Sequence, residues 1–176
     1  MSAQVPILAT HRLTLRPVDR SYADKIVRIV GDFEVSKWLV PVPYPYEKSD
    51  ADDFITSVQS GSQGYVWVIE EDAALIGMIG LDPGLGYWLS PERWGHGLMS
   101  EAAHAVLSYH FDHSHGDILR SEYFLGNEGS RRVLENMGFQ DRGAKTSFSA
   151  AQGTEVPSRR MELTRQAWSA LMVEQE

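Results

Sequence analysis

The chain has no cysteine among its 176 residues. That absence excludes disulfides, thiolate nucleophiles and Cys-ligated zinc or iron–sulfur centres. Basic residues are also scarce, with 16 Lys+Arg against 24 Asp+Glu and a formal net charge of −8. A nucleic-acid binder carries a basic footprint, so this balance argues against that class. It suits solubility or the attraction of cationic ligands. No apolar run approaches the ~18 residues of a membrane span. The segment Met1 to Thr10 lacks the basic flank and small-residue cleavage site of a signal peptide. The expectation is a cytoplasmic protein with neither nucleic acid nor membrane as partner. No repeat, low-complexity tract or Ser/Gly linker divides the sequence, which predicts one domain over residues 1–176.

Hydrophobic periodicity supplies the elements. His11 to Arg16 alternates and reads as a strand ended by Pro17. Asp19 or Ser21 can cap a helix carrying Tyr22, Ile26, Ile29 and Val30. Val40 to Pro45 holds three prolines and must be a loop. Ser49 is placed to cap a helix to about Gln59 with Phe54, Ile55 and Val58 inward. Tyr65 to Ile69 and Leu75 to Leu81 form a hairpin around residues 70–74. Leu85 to Ser90 is a further strand. Residues 97–111 have helical spacing, with Leu98, Ala102, Ala105, Val106 and Tyr109 on one face. Ile118 to Leu125 is a strand, Ser130 to Asn136 a short helix stopped by Gly138. Phe139 to Ala150 and Ser158 to Leu163 are closing strands before a helix from Thr164. This order predicts a mixed α/β (α+β) sheet covered by helices on both faces.

The segment Trp94-Gly95-His96-Gly97-Leu98-Met99-Ser100-Glu101-Ala102 follows a strand and opens a helix. Its two glycines allow close backbone approach, and the helix start aims unpaired N–H groups at the turn. That arrangement suits an anion such as a pyrophosphate; a tight turn with nothing bound has the same pattern. Ser100 stands at the third glycine position of a dinucleotide fingerprint, and no GxxxxGK[ST] is present. A second signal, Asn127-Glu128-Gly129-Ser130 continued by Arg131 to Phe139, follows the strand 118–125.

Together these two segments resemble the GNAT acyl-CoA N-acyltransferase superfamily. The likeness is nearest to the branch of ribosomal-protein N-terminal acetyltransferases (RimJ/RimL-like). It extends to Thr10–Pro17, Gly86–Pro91 and Met161–Thr164 leading to Trp168. The resemblance implies a mostly antiparallel sheet of about seven strands with a central splayed parallel pair, 86–90 and 118–125. It implies acetyl-CoA as cosubstrate, no metal, and direct transfer of an acetyl group to a primary amine of a small molecule or protein N-terminus. The pantetheine arm would pair with the backbone of Tyr87, Trp88 and Leu89. Trp94, Gly95, His96, Gly97, Leu98, Met99 and Ser100 would wrap the pyrophosphate, facing Asn127, Ser130 and Arg131, with Arg132 also available for nucleotide phosphates.

The chain departs from the family pattern at several points. Leu134 stands where many relatives carry an acidic Tyr, leaving Ser130 as the substitute general acid. Gly84-Leu85-Gly86 stands where many carry a Glu, leaving Asp82, Glu122 and Glu155 as candidate bases. Met99 replaces a Gly or Ala and either crowds the pyrophosphate or points into the core. Met99 and Leu134 support a second reading, a catalytically silent acyl-CoA-binding or sensing module. Trp38, Tyr44 and Tyr46 are candidates to flank the acceptor; packing of a Pro-rich loop explains them equally. His110, His113 and His115 with Asp112 and Asp117 resemble a metal cluster, but histidines at a helix C-terminus also complement its dipole, and no metal is expected. A homodimer is compatible with the sequence, and no residue specifies one.

Overall fold

The computed structural model describes residues 5–81 and 83–174. Two sheets meet side by side. The first has five strands in spatial order: β1 (Leu8–Ala9), β2 (Thr14–Pro17), β3 (Val66–Glu71), β4 (Ala74–Gly80) and β5 (Gly86–Leu89). The second has three: β6 (Ile118–Phe124), then β8 (Thr154–Thr164), then β7 (Gln140–Ser149). Every ladder within them is antiparallel.

The apolar run of β3 follows from burial on both faces. Trp67 and Ile69 enter one core, while Val66 and Val68 enter another. Sheets covered on both sides read as continuous hydrophobic runs rather than as alternation. One face is covered by α1 (Ala23–Val30) and α3 (Lys48–Gln59), which bury Ile26, Val30, Ala51 and Ile55. The other is covered by α4 (Leu98–His113), with α5 (Glu128–Asn136) and α6 (Arg165–Glu174) contributing Leu134 and Trp168 to the same core.

Several boundaries differ from the sequence reading, each for a physical reason. The strand expected over His11–Arg16 begins only at Thr14 as β2, because a turn closed by Thr10 N–H to Leu13 O at 2.9 Å precedes it, and β1 is an additional strand before that turn. Four residues, Phe33–Ser36, form an extra helix α2 because the Asp32 side chain accepts from Glu34 N–H. Helix α3 starts two residues early, capped by Glu47 rather than Ser49, since Glu47 and Asp50 make a reciprocal capping box. The hairpin turn narrows to Asp72 and Ala73, both at positive φ, the requirement of a tight two-residue connection. Helix α4 buries Met99, Ala103, Leu107 and Phe111 alongside Leu98, Ala102 and Val106, leaving Ala105 and Tyr109 half-buried. Strand β8 begins at Thr154, before Pro157. Pro157 O accepts from Leu125 N–H at 2.9 Å just where β6 has ended, so its missing donor leaves no ladder bond unmade.

Candidate acyl-donor site

The two sheets are joined at one end and open at the other. Leu85 N–H donates to Arg120 O at 2.8 Å, and Ser121 Oγ donates to Leu85 O at 2.7 Å. Beyond this seam β5 and β6 make no ladder. Backbone groups of a strand alternate between its two edges. Ser90 N–H bonds Ile76 O on the β4 side, so even-numbered residues of β5 turn to β4. Tyr87 and Leu89 therefore turn their N–H groups and carbonyls to the gap. On β6, Leu125 N–H bonds Pro157 O on the β8 side, so Glu122 and Phe124 face the gap from opposite. Trp88 was expected among the pantetheine partners, but its backbone is turned to Met78 of β4. The Leu89 carbonyl already accepts from Trp94 Nε1 at 2.9 Å, and Phe124 O from Asn127 N–H at 3.0 Å. What remains is a strand edge of the kind an extended polar chain can pair with.

At the mouth of this gap the glycine turn leads into α4. Gly95 and Gly97 adopt φ of 76° and 73°, and Gly97 is the N-cap, with no side chain capping the helix. The first intrahelical bond is Glu101 N–H to Gly97 O, which leaves the N–H groups of Leu98, Met99 and Ser100 without an intrahelical acceptor. A 16-residue helix thus presents its positive end and free donors to solvent. Met99 resolves the crowding question: it is buried in the core, away from the turn. His96 and Trp94 are exposed.

Asn127 caps α5, its Oδ1 accepting from Ser130 N–H at 3.1 Å. Ser130 Oγ lies 3.0 Å from the Tyr87 hydroxyl, which is also 3.1 Å from Ser130 O. This pair links β5 to the first turn of α5 across the end of the gap. Burial pushes the Tyr87 phenol well above its ordinary pKa, against an opposing effect of the Ser130 hydrogen bond. The phenol therefore stays protonated and can act as a constant donor. Sequence reasoning used Tyr87 for its backbone only; a hydroxyl pair between residues 43 apart has no local signature. Arg131 bonds both Glu128 and Glu135, which holds it along its own helix face, whereas Arg132 is exposed and has no ion pair among the described residues.

The candidate bases separate. Asp82 lies outside the described residues. Glu155 is exposed on β8 opposite Phe148. Glu122 is on the strand that borders the gap, its carboxylate engaged by Lys145 and by Ser147 Oγ at 3.2 Å. The candidate acceptor residues separate too. Trp38 comes within 3.6 Å of where a Gly126 Cβ would stand, beside the end of β6. Tyr44 packs edge-on against Phe33 at 5.1 Å and is half exposed. Tyr46 packs with the α1–α3 core, and burial, with Asp50 nearby, raises its pKa to about 12. The histidines of α4 are used locally: His110 pairs with Ser114 Oγ and His113 stacks on Tyr109.

One carboxylate fastens the glycine turn to the rest of the fold. Glu101 accepts from Thr10 Oγ1 at 2.6 Å, Arg12 N–H at 2.8 Å and Arg12 Nε at 2.7 Å. Burial alone would raise its pKa; the hydrogen bonds from Thr10 and Arg12 outweigh that and hold it below its ordinary value. A carboxyl with a depressed folded pKa adds stability above its unfolded pKa and loses it as pH falls through the folded one. Glu101→Gln is therefore expected to lower the melting temperature at neutral pH, with the gap to the parent closing in acid. Melting curves from neutral pH down to pH 3 check it; a gap constant with pH would contradict the linkage.

A gap between sheets, a glycine turn with uncapped helix donors and a serine at the opposite helix start make up the candidate acyl-donor site. Comparison with known proteins places the family. The family model described as "Acetyltransferase (GNAT) domain" matches residues 12–140. The relative described as "Uncharacterized N-acetyltransferase YoaA", of Bacillus subtilis, is 30% identical over 166 residues, covering 85% of this chain and 91% of the relative. Mycobacterium smegmatis RimJ, in complex with CoA-disulfide, superposes with a TM-score of 0.79 at 19% identity, covering 97% of this chain and 95% of that one. An acetyltransferase of Salmonella typhimurium, described as modifying the N-terminal serine of ribosomal protein L7/L12, superposes with a TM-score of 0.77 at 16% identity, over 90% and 99% of the two chains. The chain belongs to the GNAT acetyltransferase family and is an N-acetyltransferase. The family uses acetyl-CoA and acts on an amine acceptor. No helix of the described residues is long and apolar enough to cross a membrane.

Proposed function

We propose that this protein transfers acetyl from acetyl-CoA to a primary amine, a protein N-terminus or a small molecule, by direct attack in a ternary complex, in the cytoplasm. The observation that carries the reading is the unpaired strand edge at Tyr87 and Leu89 ending beside uncapped helix donors. The turn 94–100 binds the pyrophosphate through the free N–H groups of α4, and the edge of β5 binds the pantetheine arm. A gap-facing N–H polarises the thioester carbonyl as the amine attacks.

Ser130 Oγ donates a proton toward the departing sulfur, and Tyr87 holds that hydroxyl in place. The amine must lose a proton to react. Glu122, beside the gap and near Trp38's end of β6, accepts it, directly or through water. The acceptor enters past Trp38, and the acidic surface favours a cationic one. An N-terminal acceptor is supported by the likeness in fold to acetyltransferases that act on ribosomal proteins.

The test is thiol release from acetyl-CoA, read with a thiol-reactive dye against pooled amines and N-terminal peptides. The protein has no cysteine, so it adds no background. Release that depends on one pool supports the transferase and begins to name the acceptor. Saturable CoA binding with no release against any pool would favour the silent binding module instead.

A further inference from the structure

Arg12 lies between β1 and β2, yet its side chain is fixed on the α4 turn more than 80 residues away in sequence. Nε donates to Glu101 Oε2 at 2.7 Å and Nη1 donates to His96 O at 3.0 Å. The remaining nitrogen, Nη2, has no hydrogen-bond partner among the described residues. It stands 3.7 Å from where a Cβ on Gly97 would be, directly against the turn whose N–H groups are unpaired.

The charge pattern there runs against the usual rule. Helix N-termini favour anions and disfavour cations, yet a guanidinium is held at this one. Glu101 neutralises Arg12 but leaves the helix donors unanswered. Local rules are broken mostly at functional sites, and a phosphate placed between Nη2 and the free N–H groups would satisfy both. Guanidinium is the side chain best matched to phosphate oxygens, and here its rotamer is already fixed, so little ordering entropy remains to be lost on binding.

We propose that Arg12 binds a phosphate of the acyl-CoA donor through Nη2, while its other two nitrogens brace the turn. The role rests on the acyl-CoA reading above. It gives the turn a cation from the opposite end of the sequence, where Arg131 is held by its own helix.

The experiment measures the dissociation constants of CoA and of pantetheine, which has the same arm without the nucleotide phosphates, by calorimetry. Arg12→Ala is expected to weaken CoA by about 10-fold or more, the scale of a hydrogen bond to a charged group. Pantetheine should weaken far less, so the preference for CoA shrinks by a similar factor. Arg12→Lys should recover part of the loss, since it restores the charge but not the fork that spans Glu101 and His96. Melting curves accompany each variant, and the lysine variant carries the test if the alanine variant fails to fold. Glu101→Gln loosens the same brace and keeps the guanidinium, so it should weaken CoA less than Arg12→Ala does; an equal loss in the two variants would reduce Arg12 to a brace, and unchanged CoA binding in Arg12→Ala would remove it from the site, and either overturns the proposal. Failure of the parent protein to bind CoA would overturn the acyl-CoA reading instead.

Discussion

Ser130→Ala is expected to lower kcat about 100-fold, at the lower end of what a general acid supplies, with little change in the KM for acetyl-CoA. The hydroxyl is needed when sulfur departs, and an interaction made only then appears in kcat rather than in binding. The cap of α5 survives, because it uses Ser130's backbone N–H and the Asn127 side chain. Tyr87→Phe should cost about 10-fold, since a hydroxyl bond 3.0 Å long is lost while the ring keeps its packing. Added to Ser130→Ala, it should cost almost nothing more, because two residues acting as one unit are not additive. Full additivity would separate Tyr87 from Ser130, and an unchanged kcat for Ser130→Ala would remove the serine from the chemistry.

Gly84→Ala is expected to destabilise the protein by about 2 kcal/mol, within the usual range for overpacking, lowering the melting temperature by roughly 4–8 °C. A Cβ on Gly84 would lie 2.5 Å from Arg120 O, too close for any carbon. That same carbonyl accepts the Leu85 N–H that joins the two sheets. Backbone must therefore move at the seam from which the gap opens, and acetyl-CoA affinity should fall with stability. A variant melting with the parent and binding acetyl-CoA equally would show that the seam has slack. Packing thus explains Gly84, where no side chain fits, whereas a Cβ on Gly86 would meet nothing within 4 Å.

Elements were legible where their determinants are local. The stretch 97–111 has apolar spacing and a glycine before it, and α4 forms there. Asn127 is of a residue type favoured at helix N-caps, and it caps α5 three residues ahead of Ser130. The two segments that identified the family follow β5 and β6, the strands that border the gap, although only their order along the chain was available. Helix α2 was missed because four residues are too few to show a period. The start of β8 was missed because Pro157 normally argues against a paired strand, and only the end of β6 beside it removes the objection. Of the expected pantetheine partners, Trp88 turned the other way, because strand alternation is set by which neighbour pairs first.

The sequence by itself determined the family, the glycine turn and the lack of thiol chemistry, since each is written in contiguous residues. Tertiary structure alone decided which backbone edges stay unpaired. It brought Tyr87 to Ser130 and Arg12 to Glu101 across separations of 43 and 89 residues. It also directed Met99 into the core and tied Arg131 to its own helix. These outcomes depend on how two sheets diverge from a seam at Leu85 and Arg120, a relation between distant strands that local pattern does not encode.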